Sequence, residues 1–258
     1  MEVKATDFVQ SLDRGLSVIR SFDLDNPELT LSEVARRTNL TRAAARRFLL
    51  TLEHLGYIRS DGKQFSLRPR VLELGYAYLS SLGLPEVAMP HLEQLVAEVQ
   101  LSSSVSVLDE QDIIYVARVM TRRIMSVNIN VGTRLPAVST SMGRVLLAGL
   151  SEDELTAFLD GVELVAHTPA TTVDPAALRT VIHEVRDNGW AFVDQELEQG
   201  LRAIAVPLRD GQGQTVAAMN LSAPSVTFSA DEVVERFLPA LRAHAQRVEE
   251  DFAAVGRA

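Results

Sequence analysis

The amino-acid sequence predicts an α+β chain in two parts. Residues 1–82 read as a winged helix-turn-helix domain ending in a linker helix, and residues 83–258 as a domain of antiparallel sheet flanked by helices. Three observations predict this. Helix-capping residues recur on both sides of a tight turn at 38–41. An Asp-Gly hairpin signal follows the third helix at once. A group of strand-length apolar runs with polar turns between them begins just after residue 100.

Ser11 is placed to cap a first helix with Leu12, Leu16, Ile19 and Phe22 on one face. Asp25, Asn26 and Pro27 make a loop. Thr30 and Glu33 have capping-box spacing before a short second helix that gives out near Asn39. Thr41 caps a third helix, with Ala45, Phe48, Leu49, Leu52 and Leu55 as its buried face and Gly56 as its stop. Two helices joined by so tight a turn are a helix-turn-helix. Tyr57–Ser60 and Gln64–Leu67 flank Asp61-Gly62-Lys63 and predict a hairpin wing. Pro69 starts a linker helix carrying Val71, Leu72, Leu74, Tyr76 and Tyr78.

Charge separates the two parts. The chain carries a net −9. Residues 1–82 are +2, the remainder is −11, and residues 36–70 alone are +7. Ordinary solvated surface is the plain explanation, but the basic residues fall on one predicted helix and one predicted wing. Arg42, Ala43, Arg46 and Arg47 occupy the third helix away from its apolar stripe. A helix entering the major groove by its N-terminal end presents such positions to base edges. Arg donates bidentately to guanine or phosphate, and small Ala43 allows close approach. Lys63 at the wing tip, with Arg59 and Arg68 beside it, suits backbone or minor-groove contact. One such domain reads one half-site, so a homodimer or dimer of dimers is expected, with the first helix and the linker helix as contact surfaces.

The second part begins with a helix over Pro90–Val99. Strands are expected at Ser103–Leu108, Ile113–Val119 and Ile124–Val131, and the segment 132–136 breaks the sheet. A helix over Ser141–Leu150 follows, then one capped by Ser151 and Glu154, and one started by Asp174-Pro175 and ended by Asn188-Gly189. Strands at Trp190–Val193, Leu201–Pro207 and Val216–Leu221 precede a final helix capped by Ser229 and Glu232 and reaching about Phe252.

Several function classes are disfavoured. The chain has no cysteine, which removes disulfides, thiolate metal sites and cysteine nucleophiles and fits a cytoplasmic protein. No stretch approaches roughly 18 consecutive apolar residues, so no membrane span is expected. MEVKATDFVQ contains no apolar leader core. His91, His167, His183 and His244 are widely separated, and no zinc-protease, nucleophile-elbow, P-loop or dinucleotide motif occurs. No metal or cofactor is expected. Asp194, Glu196 and Glu198 sit on a loop without a supported hydrolytic role. The second part therefore reads as a binder and not an enzyme. A domain that only oligomerises, and an enzyme with an accessory winged helix, are the alternatives.

The runs SLDRGLSVIRSF and LTLSEVARRTNLTRAAARRFLLTLEHLGYI resemble the DNA-binding domain of the IclR family of bacterial regulators. GTRLPAVSTSMGRVLLA at 132–148 and DQELEQGLRAIAVPL at 194–208 resemble its effector domain, so the resemblance covers essentially the whole chain. RRIMSV and TSMGRVLLA look most like the branch that includes PcaR, PcaU and PobR. The resemblance implies control of protocatechuate or 4-hydroxybenzoate catabolism, double-stranded operator DNA as partner, and an organic carboxylate effector, aromatic or β-ketoadipate-like. It implies a ligand cup lined by Thr140, Ser141, Met142, Gly143, Asp194, Arg202, Asn220 and Ser222. Plainer roles are a cap for Ser141, core for Met142 and a structural pair for Asp194 and Arg202. Free N–H groups at a helix start favour an anion, Gly143 lets a ligand approach the backbone, and Arg202 is a candidate countercharge. Arg118, Arg122 and Arg134 are further cations whose facing the sequence leaves open.

Overall fold

A computed structural model describes residues 8–23, 25–75, 83–121 and 129–255. The chain forms two compact units, 1–81 and 82–258. In the first, α1 (Gln10–Arg20) leads to β1 (Glu28–Thr30), α2 (Leu31–Arg37) and α3 (Arg42–His54), and then to the wing strands β2 (Ile58–Ser60) and β3 (Gln64–Leu67). Thr30 and Glu33 form the capping box of α2, and the Thr41 side chain accepts from the Ala44 N–H at the start of α3. Between them Asn39 takes φ 52°, a left-handed conformation that Asn tolerates. Val18, Val34, Ala45, Leu49 and Ile58 are fully buried and make the core.

Four expectations for this unit are corrected. Val9, without a side-chain cap, precedes α1 in place of Ser11. Leu12 and Leu16 are exposed, because the face of α1 turned inward carries Val18, with Phe22 buried just beyond the helix. Leu55 is also exposed, since α3 ends before it. Pro69–Leu72 is a 3₁₀ turn; Leu72 and Leu74 are exposed, and Tyr76 and Tyr78 lie outside the described residues. One strand went unforeseen. β1 pairs with β3 and buries Leu29, but three residues are too few to show a period of two.

The second unit opens with α4 (Leu84–Val99). It starts six residues before the expected Pro90, which sits inside the helix. Its missing N–H is tolerated there because Leu84, Ala88, Leu92 and Leu95 hold the helix by burial. A six-stranded sheet follows, ordered β6-β5-β4-β9-β8-β7 and antiparallel throughout. Its strands are β4 (Ser102–Asp109), β5 (Asp112–Val119), β6 (Arg134–Pro136), β7 (Ala191–Asp194), β8 (Leu201–Arg209) and β9 (Thr215–Pro224). Residues 134–136 extend the sheet as its edge strand where a break was expected. Of the expected strand 124–131, residues 124–128 lie outside the described ones and Ile129–Val131 is not strand.

α5 (Ser141–Ala148), α6 (Glu152–Gly161) and α7 (Pro175–Asn188) pack around a core with Ile113, Tyr115, Ala205 and Ala218 from the sheet. After β9, Ala230–Glu232 enters a π turn, Val233–Phe237, that continues as α8 (Leu238–Val255). α8 packs against α4, β8 and β9. The cap of α5 is Thr140 and not Ser141, because the Thr140 hydroxyl accepts from the Gly143 N–H. No helix of the described residues is long and apolar enough to cross a membrane.

Three capping boxes, at Thr30, Ser151 and Ser229, tie helix starts to a glutamate. Hydrogen bonds from Thr30 hold Glu33 below its ordinary pKa of 4.5, as those from Ser151 hold Glu154 and those from Ser229 hold Glu232. A carboxylate whose folded pKa is depressed stabilises the fold above its unfolded pKa, and that contribution is lost as pH falls through the folded value. Acid unfolding followed by circular dichroism should therefore be less steep below pH 4.5 in Glu154→Gln, which keeps a box but no longer titrates.

Candidate functional site

α3 carries two faces. Ala45, Leu49 and Leu52 are buried, while Arg42, Ala43, Arg46 and Arg47 are exposed on the opposite side. Among the described residues no ion pair engages Arg42, Arg46 or Arg47, whereas Arg37 pairs with Asp23 and Arg70 with Glu73. Three guanidiniums free of ion pairs thus share the exposed side of the helix that follows the tight turn. On the wing, Asp61 Oδ1 accepts the N–H groups of Lys63 and Gln64 at 2.8 Å each, which shapes the tip and leaves the Lys63 side chain exposed. Arg59 Nε reaches across to Ser66 Oγ at 2.9 Å. Arg68 is exposed just after β3.

In the second unit a cavity of about 360 Å³ opens between the start of α5 and one face of the sheet. Small side chains make room for it. Ala203 on β8 and Ser222 on β9 are register partners, and both line the cavity. Asn220 shares that face with Ser222 by its two-residue spacing. Thr140, Ser141 and Met142 line the cavity from the helix start, and Ser106 Oγ donates to Met142 Sδ at 3.2 Å. The N–H groups of Ser141 and Met142 precede the first intrahelical hydrogen bond and remain available as donors.

The floor carries a cation. Arg118 on β5 lines the cavity, and its Nη1 donates to Ser104 Oγ at 3.1 Å. Its Nε is buried without a partner, and no carboxylate pairs with it among the described residues. The guanidinium lies 5.8 Å from the Tyr115 ring centroid. Burial pulls the Arg118 pKa down and pushes the Tyr115 hydroxyl up to about 12, so the phenol stays protonated. A β-bulge puts the two on one face. Val105 pairs with Ala117 but Ser106 pairs with Tyr115, leaving Val116 as the extra residue. Strict alternation would send Tyr115 and Arg118 to opposite faces.

Three predicted cup residues lie elsewhere. Arg202 and Asp194 are register partners on the far face of β8 and β7. Arg202 Nε and Nη2 meet Asp194 Oδ1 and Oδ2 at 2.9 and 3.2 Å, and Nη1 donates to the Ser225 and Phe228 carbonyls. That spends the guanidinium internally, so Arg202 is no countercharge for the cavity. Gly143 faces the turn at Ala137, and a Cβ there would meet the Ala137 carbonyl oxygen at 2.1 Å. Its glycine serves helix packing and not ligand approach. Of the other cations, Arg134 is engaged by Asp109 and Asp112, and Arg122 lies outside the described residues.

Glu196, read from sequence as a loop carboxylate without a supported role, lines the cavity but is neutralised from behind. Its Oε2 accepts from Arg144 Nη2 at 2.7 Å and from the Thr172 N–H at 2.8 Å. Among the described residues no cluster of three or more potential metal ligands occurs. His91, His183 and His244 each face one carboxylate instead: Asp251, Glu152 and Glu98.

A family description of an IclR helix-turn-helix domain matches residues 11–62, and one of a bacterial transcriptional regulator IclR C-terminal domain matches residues 76–250. The chain belongs to the IclR family. It is a transcriptional regulator and not an enzyme. This IclR regulator is 46% identical to the Pca regulon regulatory protein of Pseudomonas putida, over 92% of its own length and 82% of that protein. It is 36% identical to the p-hydroxybenzoate hydroxylase transcriptional activator of Acinetobacter baylyi, over 93% of its length and 91% of the relative. These relatives bear out the resemblance to the branch of PcaR, PcaU and PobR. A crystal structure assigned as a transcriptional regulator from Rhodococcus sp. RHA1 superposes with TM-score 0.87 at 55% identity, covering 96% of this chain and all of that one. An IclR homolog from Microbacterium hydrocarbonoxydans, complexed with 4-hydroxybenzoate, superposes with TM-score 0.84 at 27% identity, covering 95% and 99% of the two chains.

The Arg144–Glu196 pair generates a stability prediction. Removing one partner of a buried ion pair strands the other, at a cost of about 3–5 kcal/mol. Arg144→Met should therefore lower urea stability by about that much. Adding Glu196→Gln should recover part of the loss. A double variant no more stable than Arg144→Met would show that the charge of Glu196 is not what Arg144 serves.

Proposed function

We propose that this regulator controls genes for aromatic-acid catabolism and that a small aromatic carboxylate of the protocatechuate and 4-hydroxybenzoate class sets its activity. The observation that carries the reading is Arg118, a half-buried cation in a cavity wall with no carboxylate partner among the described residues. Such a cation, matched by no described carboxylate, offers a counter-charge to an anionic ligand even in a part of the chain with net charge −11. The ligand carboxylate lies between the Arg118 guanidinium and the N–H groups of Ser141 and Met142. The ring packs against Tyr115, Leu135, Val193 and Leu201. Ser139, Thr140, Asn220, Ser222 and the carboxylates Glu196 and Glu198 add to the polar lining. The names of the relatives and the 4-hydroxybenzoate complex of the Microbacterium homolog support this effector class.

Residues 1–82 are the DNA-binding domain, and 83–258 the effector-binding and oligomerisation domain. Arg42, Ala43, Arg46 and Arg47 enter the major groove of double-stranded operator DNA, and Arg59, Lys63 and Arg68 contact the backbone or minor groove. The protein acts in the cytoplasm as a homodimer or a dimer of dimers. The apolar side chains Leu12, Leu16, Leu72 and Leu74, exposed on the first unit, suit such a contact.

Two measurements test the proposal. In calorimetry with 4-hydroxybenzoate, protocatechuate and β-ketoadipate, the wild type should bind an aromatic acid, and Arg118→Met should weaken binding by about 1.5–3 kcal/mol, the worth of a charge-assisted hydrogen bond. No heat with any of these acids would favour a domain that only oligomerises. In footprinting on the DNA upstream of its gene, Arg42→Ala and Arg46→Ala should each cost about 1–3 kcal/mol of discrimination against scrambled duplex. Lys63→Ala should instead weaken all duplexes alike and flatten the salt dependence. Full specificity in both arginine variants would remove α3 from the major groove.

A further inference from the structure

The face of the sheet under the cavity carries one polar row across three neighbouring strands. Arg118 on β5 pairs in register with Ser104 on β4, and Ser104 pairs with Asn220 on β9. The row holds two buried atoms without hydrogen-bond partners, and they are of opposite kind. Arg118 Nε is a donor and Asn220 Oδ1 is an acceptor. Asn220 is only 3% exposed and lines the cavity, and its Nδ2 is engaged by Ser222 Oγ at 3.3 Å. The free end of the amide is therefore its carbonyl oxygen.

A carboxylate satisfies one of these atoms and cannot satisfy the other, because it has no proton to give. Arg118, the Tyr115 hydroxyl and the N–H groups at the start of α5 all answer an acceptor. Asn220 Oδ1 answers only a donor. A ligand that supplies one gains a hydrogen bond at this buried oxygen, and one that does not leaves it unmatched. We propose that Asn220 is the specificity-determining residue that reads a hydroxyl on the ligand ring, so that the cavity selects hydroxylated aromatic carboxylates over unsubstituted ones. The inference rests on the reading of the cavity as a carboxylate site.

Discrimination of this kind is larger than an added apolar contact can give, since a site built to bond a hydroxyl is penalised when the hydroxyl is missing. The experiment is calorimetry on the full chain with benzoate, 4-fluorobenzoate, 3-hydroxybenzoate and 4-hydroxybenzoate. The wild type should bind at least one hydroxybenzoate about 10- to 100-fold more tightly than benzoate and 4-fluorobenzoate. In Asn220→Val, checked for folding by circular dichroism, that preference should fall to near unity. Benzoate or 4-fluorobenzoate binding the wild type as tightly as both hydroxybenzoates would overturn the inference while leaving the carboxylate site standing. So would a preference that survives in the folded Asn220→Val protein. If that variant does not fold, the wild-type series alone decides. Binding of none of the four acids, or binding indifferent to Arg118→Met, would instead take down the carboxylate site and this inference with it.

Discussion

The second unit is organised around the buried ion pair of Arg144 and Glu196. Arg144 is 2% exposed and lies on α5, between the helix cap and the helix core. Its Nε donates to the Val138 carbonyl at 3.0 Å, and its Nη2 holds the carboxylate of Glu196. One guanidinium thus joins the turn before α5, the helix itself and the loop after β7. Glu196 carries the connection further through the Thr172 N–H, and the hydroxyls of Thr168 and Thr171 fix the same loop by its carbonyls. A buried pair of this kind is weak as a source of net stability but demanding in geometry. It sets where the helix start stands above the sheet, and so the height of the cavity.

That arrangement also settles the electrostatics of the pocket. Arg118, Glu196 and Glu198 line it, and Arg118 and Glu196 are unlike in their engagements. Glu196 is matched from behind by Arg144, so its negative charge is spent before a ligand arrives. Arg118 is matched by a neutral hydroxyl and a ring face, neither of which cancels its charge. Arg118 thus keeps its positive charge at the cavity within a unit whose total is strongly negative, which total charge does not reveal. Tyr115, kept protonated by burial, adds a donor of the same sense.

Much of this was legible in the sequence, and the parts that were not share a cause. Caps and turns are local chemistry, so Thr30, Thr41, Ser151, Asp174, Gly189 and Ser229 mark helix ends where the structure has them. The two-residue spacing of Asn220 and Ser222 likewise fixes their common face. Facing failed wherever a neighbour decides it. Arg202 alternates correctly along β8, but only pairing with β7 shows that its face is the one holding Asp194. Tyr115 and Arg118 are three apart and share a face through a bulge that no periodicity reveals. Gly143 is indeed a close-approach glycine, but what approaches is the Ala137 carbonyl. Pro90 hid the first turns of α4, because a proline reads as a helix start unless burial on both sides of it is known.

The division of the chain into two units constrains how an effector can act on DNA. The cavity residues all belong to the second unit, and the free arginines of α3 to the first. On the proposed reading, an effect of a cavity ligand on operator affinity requires that the ligand bind two arrangements of the protein differently. Linkage then makes the effect reciprocal: operator DNA must change effector affinity by the same factor that effector changes operator affinity. The Arg144–Glu196 assembly is well placed to carry part of that difference. It ties the cavity-lining start of α5 to a loop held by four separate polar contacts, and a packed, fully bonded junction shifts as a unit more readily than it deforms. On the proposed reading, any response is limited by how much more strongly a ligand binds one arrangement of the protein than the other.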